Sequence, residues 1–196
     1  MAYTDTFTYT DGELNTKNAL WVDVGFGNAI NIATNRIVPA GGAEHHGYLY
    51  NNTFATKHYS KLKILIDDQF VGPAIRMASG SNMYYCYCTG ALASTTYNGE
   101  CVAGSASDWD GGQNGVAANS IAELTVDAST ETTIIYKDDG TTIVTYTSKS
   151  ALSGGKAGVC GYDLGAPYAD DWEGGDVGGG SVSAVLPFRS LLGVGK

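Results

Sequence analysis

The chain has 196 residues, with 27 glycines and 13 tyrosines, and its formal net charge at pH 7 is −9. This length is sufficient for one domain with a full hydrophobic core. The acidic charge argues against nucleic acid and anionic membrane surfaces as partners, because both are bound through clustered Lys and Arg side chains.

The beginning of the chain, residues 1–5 (MAYTD), lacks the basic region and the apolar run of a signal peptide. No segment approaches the roughly 20 apolar residues that span a bilayer. We therefore expect a protein that is made and folded in a cytoplasm and has no membrane partner.

The first third of the chain predicts short strands separated by turns. Apolar Leu62 and Ile64 alternate with Lys61 and Lys63, which is the period of two that is typical of a half-buried strand. The strands expected here are Tyr3–Tyr9, Trp21–Val24, one or two within Ile30–Val38, Tyr48–Ala55 and Tyr59–Asp67.

Two hairpins are predicted farther along the chain. The first joins Val71–Ala78 to Met83–Thr89 through a turn of Ser, Gly and Asn residues. The stronger one lies in Ile134–Tyr146, where Asp139 and Gly140 separate two runs rich in β-branched residues. An Asp-Gly pair favours a tight hairpin turn because glycine tolerates the positive φ that the turn requires.

The segment Gly90–Ala118 is rich in Gly, Ser, Ala and Asn, and it predicts a long loop around Ser105–Gly115. Ile121–Val126 predicts a further strand. The sequence contains no convincing helix beyond a single turn at Ala151–Leu152. The regular spacing of the strands therefore predicts an all-β fold, an antiparallel sandwich of two sheets.

The composition changes after residue 176, and we predict two parts. Residues 1–176 form the β-sandwich domain, and residues 177–196 form a Gly-rich tether followed by an apolar arm. The arm either folds back on its own domain or docks on a neighbouring subunit, and we predict the subunit contact. The arm residues expected to make it are Val185, Leu186, Phe188, Leu191 and Leu192.

Three blocks of sequence occur together in a recognisable order, at residues 5–21, 75–85 and 136–173. They contain Asp5-Thr6-Phe7, Asp11–Leu14 and Trp21, then Ile75–Met77 and Asn82–Tyr85, then Tyr136–Gly140, Gly155–Gly158 and Asp170–Glu173. Over about residues 3–176 the chain resembles the concanavalin A-like lectin/glucanase β-sandwich, in the laminin-G-like branch common in bacteriophage virion proteins and bacterial surface proteins. The resemblance implies a jelly roll in which the opening strand pairs with the closing Asp-Asp-aromatic strand, near Trp172.

The resembled family includes glucanases, sugar-binding lectins and structural modules, so the fold alone does not fix the activity. Its retaining glucanases carry two Glu side chains at short spacing on one strand, because the acid and the nucleophile must flank one glycosidic bond. No two glutamates of this chain have that spacing. We therefore predict that the protein is not an enzyme and has no catalytic residues. The glutamates are Glu13, Glu44, Glu100, Glu123, Glu131 and Glu173.

Two acidic segments are weak candidates for a calcium site, and we otherwise expect no cofactor. Asp108 and Asp110 precede a Gly-rich stretch, as in the start of a calcium loop, but no bidentate Glu closes the pattern. Asp170 and Asp171 lie in the acidic segment beside Trp172, where some members of the resembled family bind calcium.

Three aromatic residues are candidates for contact with a glycan or a protein partner. Trp109 lies on the predicted Gly-rich loop, and it either packs on its own sandwich or presents its ring to a sugar or a partner. Tyr85 and Tyr87 lie two residues apart in a strand-like run, so their side chains share one face of the strand and that of Tyr84 lies on the other face. We expect one of these two sets of tyrosines to pack in the core and the other to be exposed.

The four cysteines match no zinc-binding spacing, and we expect them to be buried free thiols. A disulfide that forms late, within or between subunits, is the alternative. Cys86 and Cys88 should share one face of a strand without bridging each other.

The leading functional hypothesis is a non-enzymatic structural protein of a bacteriophage particle, either a capsid decoration (cement) protein or a module of a fibre or spike. It places the protein in the virion after synthesis in the host cytoplasm, as a homo-oligomer in contact with other virion proteins. The alternative is a lectin-like carbohydrate-binding module for a host-surface glycan.

Overall fold

A computed structural model describes residues 1–24, 29–65, 70–78, 82–89, 95–110, 119–127, 130–164 and 169–178. Within these residues the chain forms strands almost throughout, with one short helix. The elements are β1 (Ala2–Asp5), β2 (Gly12–Glu13), α1 (Leu14–Lys17), β3 (Trp21–Asp23), β4 (Ile30–Ala33), β5 (Arg36–Tyr50), β6 (His58–Ile64), β7 (Phe70–Ala78), β8 (Asn82–Thr89), β9 (Thr95–Val102), β10 (Ser105–Asp108), β11 (Ile121–Val126), β12 (Ile134–Asp138), β13 (Thr141–Tyr146), β14 (Lys156–Leu164) and β15 (Ala169–Asp176).

The strands form two antiparallel sheets, as predicted. In sheet A the order is β15-β6-β11-β12-β13, with β1 on the other side of β15. In sheet B the order is β10-β9-β8-β7-β14-β5-β3. The long strand β5 belongs to both sheets: Ile37 pairs with β15 and with β4 in sheet A, whereas Tyr48 pairs with β14 and with β3 in sheet B.

The main hydrophobic core lies between the sheets. Alternate residues of each strand point into it, which is the expected consequence of the two-residue period. At its centre, Trp21 of sheet B packs edge-on against Trp172 of sheet A, with 4.9 Å between ring centroids. The other large core side chains include Tyr48, Tyr84, Tyr136, Phe7, Leu62 and Ile37.

The pairing of the opening and closing strands is confirmed. Strand β1 runs antiparallel to β15, with Asp5 opposite Trp172. Phe7 packs on Trp21 at 5.8 Å, and Trp21 in turn contacts Trp172, so all three rings belong to one aromatic cluster.

The Asp-Gly hairpin is also confirmed. Asp139 has φ 46° and Gly140 has φ 78°, and strands β12 and β13 pair on either side of them. Two consecutive residues with positive φ define the turn whose twist matches the flanking strands.

Several local predictions were wrong. The loop expected around Ser105–Gly115 begins as strand β10, which pairs with β9, and residues 111–118 lie outside the described residues. The strand expected to run to Ala55 ends at Tyr50, and the one from Tyr3 ends at Asp5. The helical turn lies at α1, where Leu14 is buried, and not at residues 151–152.

All four cysteines are buried free thiols, as predicted. Cys86 and Cys88 point into the core from the same face of β8, with their Sγ atoms 3.6 Å apart. Cys160 lies on the opposite face of sheet B.

His58 connects several elements at one end of the sandwich. Its Nδ1 lies 2.8 Å from the carbonyl oxygen of Ala55, and the backbone N–H of Arg76 donates to its Nε2 at 3.0 Å. The same Nε2 lies 3.1 Å from the carbonyl oxygen of Lys156. Burial lowers the pKa of His58, and the contacts with the two carbonyl oxygens offset part of that effect.

In the part of the chain that is described, no helix is long and apolar enough to cross a membrane. The predicted arm residues Val185, Leu186, Phe188, Leu191 and Leu192 lie outside the described residues, and their contact with a subunit stays a prediction.

Candidate functional site

The outer face of sheet B, which points away from the main core, carries a second apolar cluster. In β8, Tyr84, Cys86 and Cys88 point into the sandwich, so Tyr85 and Tyr87 point outward. A sheet face turned to water usually alternates to polar residues, but this one does not. Its buried members are Val24, Leu49, Ala74, Met77, Met83, Tyr85, Tyr87, Cys101 and Cys160.

Four tyrosines on strands β8, β9 and β14 of this face form what we call the tyrosine row: Tyr85, Tyr87, Tyr97 and Tyr162. The rings of Tyr85 and Tyr87 stack with centroids 4.5 Å apart and planes inclined by 26°. Tyr97 lies opposite Tyr87 across the β8–β9 pair, and the ring of Tyr162 lies 6.2 Å from that of Tyr87. The sheet therefore places four phenol rings in one patch.

The exposure of these tyrosines differs from the sequence prediction. Tyr85 is 0% and Tyr87 is 2% exposed, so neither offers an open ring face, and the prediction that the outward set would be exposed was wrong. Both are buried about as fully as Tyr84 in the main core. The partly buried members are Tyr97 and Tyr162, which sequence reasoning missed.

Asp108 closes one end of the tyrosine row. It is the last residue of β10, it is exposed, and its Oδ1 accepts a hydrogen bond of 2.7 Å from the hydroxyl of Tyr85. Burial, and then the hydrogen bond to this carboxylate, raise the pKa of Tyr85 far above its ordinary value. The phenol therefore stays protonated, and its donated bond fixes the Asp108 side chain.

Gly99 of β9 makes this arrangement possible. A Cβ at this position would collide with the ring and hydroxyl of Tyr85 and with the carbonyl oxygen of Ser107. The absence of a side chain therefore lets the Tyr85 ring cross β9 and reach Asp108.

Trp109 packs on its own sandwich, which was one of the two alternatives. Its ring lies 4.8 Å from that of Tyr146 and 5.7 Å from that of Tyr84. The ammonium group of Lys149 lies over the remaining face, 4.5 Å from the ring centroid. Trp109 is therefore partly buried against the main core.

Asp108 and Asp110, the first pair of calcium candidates, make hydrogen bonds on opposite faces of the sheet. Asp110 accepts from the backbone N–H of Asn98 at 3.2 Å, from its Nδ2 at 3.1 Å and from the hydroxyl of Tyr146, on the core side of the sheet. Asp108 instead accepts from Tyr85 on the outer face.

At the other candidate, the backbone N–H of Asp171 donates to Asp170 at 2.9 Å, and the Asp171 carboxylate lies 3.7 Å from the ammonium of Lys63. The described residues contain no group of three or more His, Cys, Asp or Glu side chains that could hold a metal ion. Calcium binding stays a prediction.

The glutamates with described side chains have partners outside the tyrosine row. Glu123 lies between Lys61 and Lys137 on the outer face of sheet A, with distances of 3.8 and 2.8 Å. Glu13 accepts from Tyr48, Glu100 from Ser150, Glu131 from Arg76, and Glu173 from Tyr59 and Lys61. Among these residues no glutamate pair faces the row.

Comparison with known proteins places the chain among solved structures of one fold. It is similar to the carbohydrate-binding module CBM66 from Bacillus subtilis, with a TM-score of 0.56 and 13% identity, over 78% of this chain and 91% of that one. It is similar to a β-1,3-1,4-glucanase (lichenase) derived from a mouse hindgut metagenome, with a TM-score of 0.53 and 12% identity, over 90% and 99% of the two chains.

A third similar structure is the metal-free carbohydrate recognition domain of Emp46p, with a TM-score of 0.52 and 8% identity, over 87% of this chain and 94% of that one. No profile of a protein family matches the chain, and no curated protein matches it. At these identities the likeness shows the fold alone, and it confirms the concanavalin A-like jelly-roll sandwich.

Proposed function

We propose that the protein is a non-catalytic carbohydrate-binding module and that Tyr97 and Tyr162 of the tyrosine row contact the glycan. The observation that carries this proposal is the combination of two partly exposed rings, Tyr97 and Tyr162, with the exposed carboxylate of Asp108 on one sheet face. The apolar C–H face of a sugar ring packs on an aromatic ring, and a carboxylate accepts hydrogen bonds from neighbouring sugar hydroxyls.

The buried pair supports this use of the surface. Tyr85 and Tyr87 stack on each other, and Tyr85 also holds Asp108 by a 2.7 Å hydrogen bond. Groups that are fixed before binding lose less conformational entropy when the ligand arrives. Tyr85 and Tyr87 therefore act as supports of the site, whereas Tyr97 and Tyr162 make the contact.

The names of the similar structures agree with this class of function. A carbohydrate-binding module and a carbohydrate recognition domain have the same sandwich, whereas none of the three structures described above is a virion protein. The fold also hosts a glucanase, but no two of the described glutamates lie on one strand at the short spacing of a retaining glucanase. We therefore favour glycan binding without hydrolysis over the virion hypothesis.

The test is binding of the full-length protein to soluble polysaccharides, measured by isothermal titration calorimetry over a panel of fructans, β-glucans and mannans. We expect Tyr97→Ala and Tyr162→Ala each to weaken binding about tenfold, which corresponds to about 1.4 kcal/mol per lost stacking contact. Tyr59→Phe, on the outer face of sheet A, is the matched control and should leave affinity unchanged.

A protein that binds no member of the panel, or an equal loss of affinity in the control, contradicts the proposal. Release of reducing sugar that a single Glu→Gln change abolishes would instead contradict its non-catalytic part.

A further inference from the structure

A depression of about 400 Å³ opens on the outer face of sheet B, away from the tyrosine row. Leu49 and Met77 are the buried apolar side chains of its lining, and Val22 of β3 is the exposed one. Lys156, the first residue of β14, lies on its rim, whereas Tyr162 of the tyrosine row lies six positions farther along the same strand. The two features therefore occupy different ends of β14.

The depression borders exposed apolar surface. Val22 is 37% and Leu20 is 43% exposed. The carbonyl oxygen of Leu20 accepts a 2.6 Å hydrogen bond from the N–H of Asn51, which also lines the depression. Within the described residues, β3 pairs with β5 and with no other strand, so it is an edge of sheet B. Adjacent apolar side chains at an open edge favour a covering segment.

The described fold ends close to this depression. The N–H of Val177 donates to the carbonyl oxygen of Lys57 at 2.9 Å, and the ring of the next residue, His58, lies 3.1 Å from the carbonyl oxygen of Lys156. At about 3.3 Å per extended residue, ten residues beyond Gly178 reach roughly 33 Å. That reach exceeds the spacing of about 10 Å between two packed sheets.

The sequence that follows Gly178 is complementary to this surface. Residues 182–192 contain the apolar side chains Val185, Leu186, Phe188, Leu191 and Leu192. Residues 179–196 hold two of the 11 basic residues, Arg189 and Lys196, and none of the 20 acidic ones. An apolar segment with basic charge thus follows a domain with a large acidic excess.

We propose that residues 182–192 occupy the depression of their own domain and cover Leu20 and Val22. The same chain is the favoured source because each copy has a formal charge of −9, which opposes association of two copies. A short tether also keeps the segment at a high effective concentration beside its own domain. This inference does not depend on glycan binding.

Arg189 and Gly155 provide the test in the full-length protein. Arg189 is a trypsin site inside the segment, and cleavage there is followed by intact mass as the loss of residues 190–196. Gly155 lines the depression, and a Cβ at this position meets no atom within 4 Å. Gly155→Trp therefore fills the depression, and Gly155→Ala is the matched control that leaves it open.

We expect Gly155→Trp to accelerate cleavage after Arg189 about tenfold or more, equivalent to about 1.4 kcal/mol of lost protection. Gly155→Ala should be cleaved at the rate of the unchanged protein. If Gly155→Trp changes the far-ultraviolet dichroism spectrum, Val22→Asp at an exposed position takes its place in the comparison.

Equal cleavage rates in all variants would overturn the proposal. Protection that rises with protein concentration would assign the segment to a second copy and overturn the same-chain assignment. The outcome is the same whether or not the protein binds a glycan.

Discussion

Replacing Asp5 with alanine should destabilise the whole sandwich, although Asp5 lies five residues from the start of the chain. Asp5 is 7% exposed, and within the described residues its carboxylate accepts four hydrogen bonds. The donors are the indole N–H of Trp21 at 2.7 Å, the backbone N–H of Phe7 at 2.8 Å, the hydroxyl of Tyr9 at 2.9 Å and Nδ2 of Asn18 at 3.1 Å.

The magnitude follows from what each donor loses. The N–H groups of Trp21 and Phe7 are buried and would be left without an acceptor, at a cost of about 1–3 kcal/mol each. Tyr9 and Asn18 remain bonded to each other at 2.9 Å and lose less. We expect a total of roughly 3–5 kcal/mol, which at about 2–4 °C per kcal/mol lowers the midpoint of thermal unfolding by roughly 6–20 °C.

The assay is urea unfolding followed by tryptophan fluorescence, with thermal unfolding followed by circular dichroism. Asp11→Ala is the control, because Asp11 is exposed and, within the described residues, accepts one bond, from the N–H of Thr34 at 2.9 Å. It should cost less than about 1 kcal/mol. If Asp5→Ala costs no more than Asp11→Ala, the carboxylate does not hold the opening segment on the sandwich.

Three further outcomes are expected. Because the pKa of His58 is lower in the folded than in the unfolded protein, the free energy of unfolding should be highest above the unfolded pKa of about 6.5. It should decrease as the pH falls below that value, by up to about 1.4 kcal/mol per pH unit. The urea midpoint of His58→Gln should then depend less on pH, and an unchanged pH dependence would contradict this. Gly99→Ala should cost about 1–3 kcal/mol because its methyl group displaces Tyr85, and an unchanged midpoint would show that the ring moves freely. Trp109→Ala should lower the free energy of unfolding by about 2–4 kcal/mol and leave glycan affinity unchanged. Unchanged stability with weaker glycan binding would instead identify Trp109 as a contact residue.

The confirmed pairing of β1 with β15 came from the family resemblance, whereas the correct predictions made from the residues themselves had a local signal. The alternation around Leu62 and the Asp139-Gly140 pair each specify a conformation within a few residues, through the strand period and the turn geometry. Those signals were enough to predict two antiparallel sheets and to locate the hairpin.

The wrong predictions depend on neighbours that are distant in sequence. Strand β9 contains Asn98 and Gly99, which are poor strand formers. A glycine is required at position 99 because the Tyr85 ring lies where a Cβ would be. Likewise, nothing near Tyr97 or Tyr162 in the sequence indicates that both rings lie beside Tyr87. A propensity argument could not have found the tyrosine row, because register and sheet order create it.

The shared strand β5 has a consequence for how the protein unfolds. Its first residues are hydrogen-bonded in sheet A, through Ile37, and its last ones in sheet B, through Tyr48. Neither sheet can therefore separate from the other without breaking backbone pairs along one continuous segment. This continuity favours a single cooperative transition over stepwise loss of the sheets, and calorimetric and van't Hoff enthalpies of unfolding should then agree.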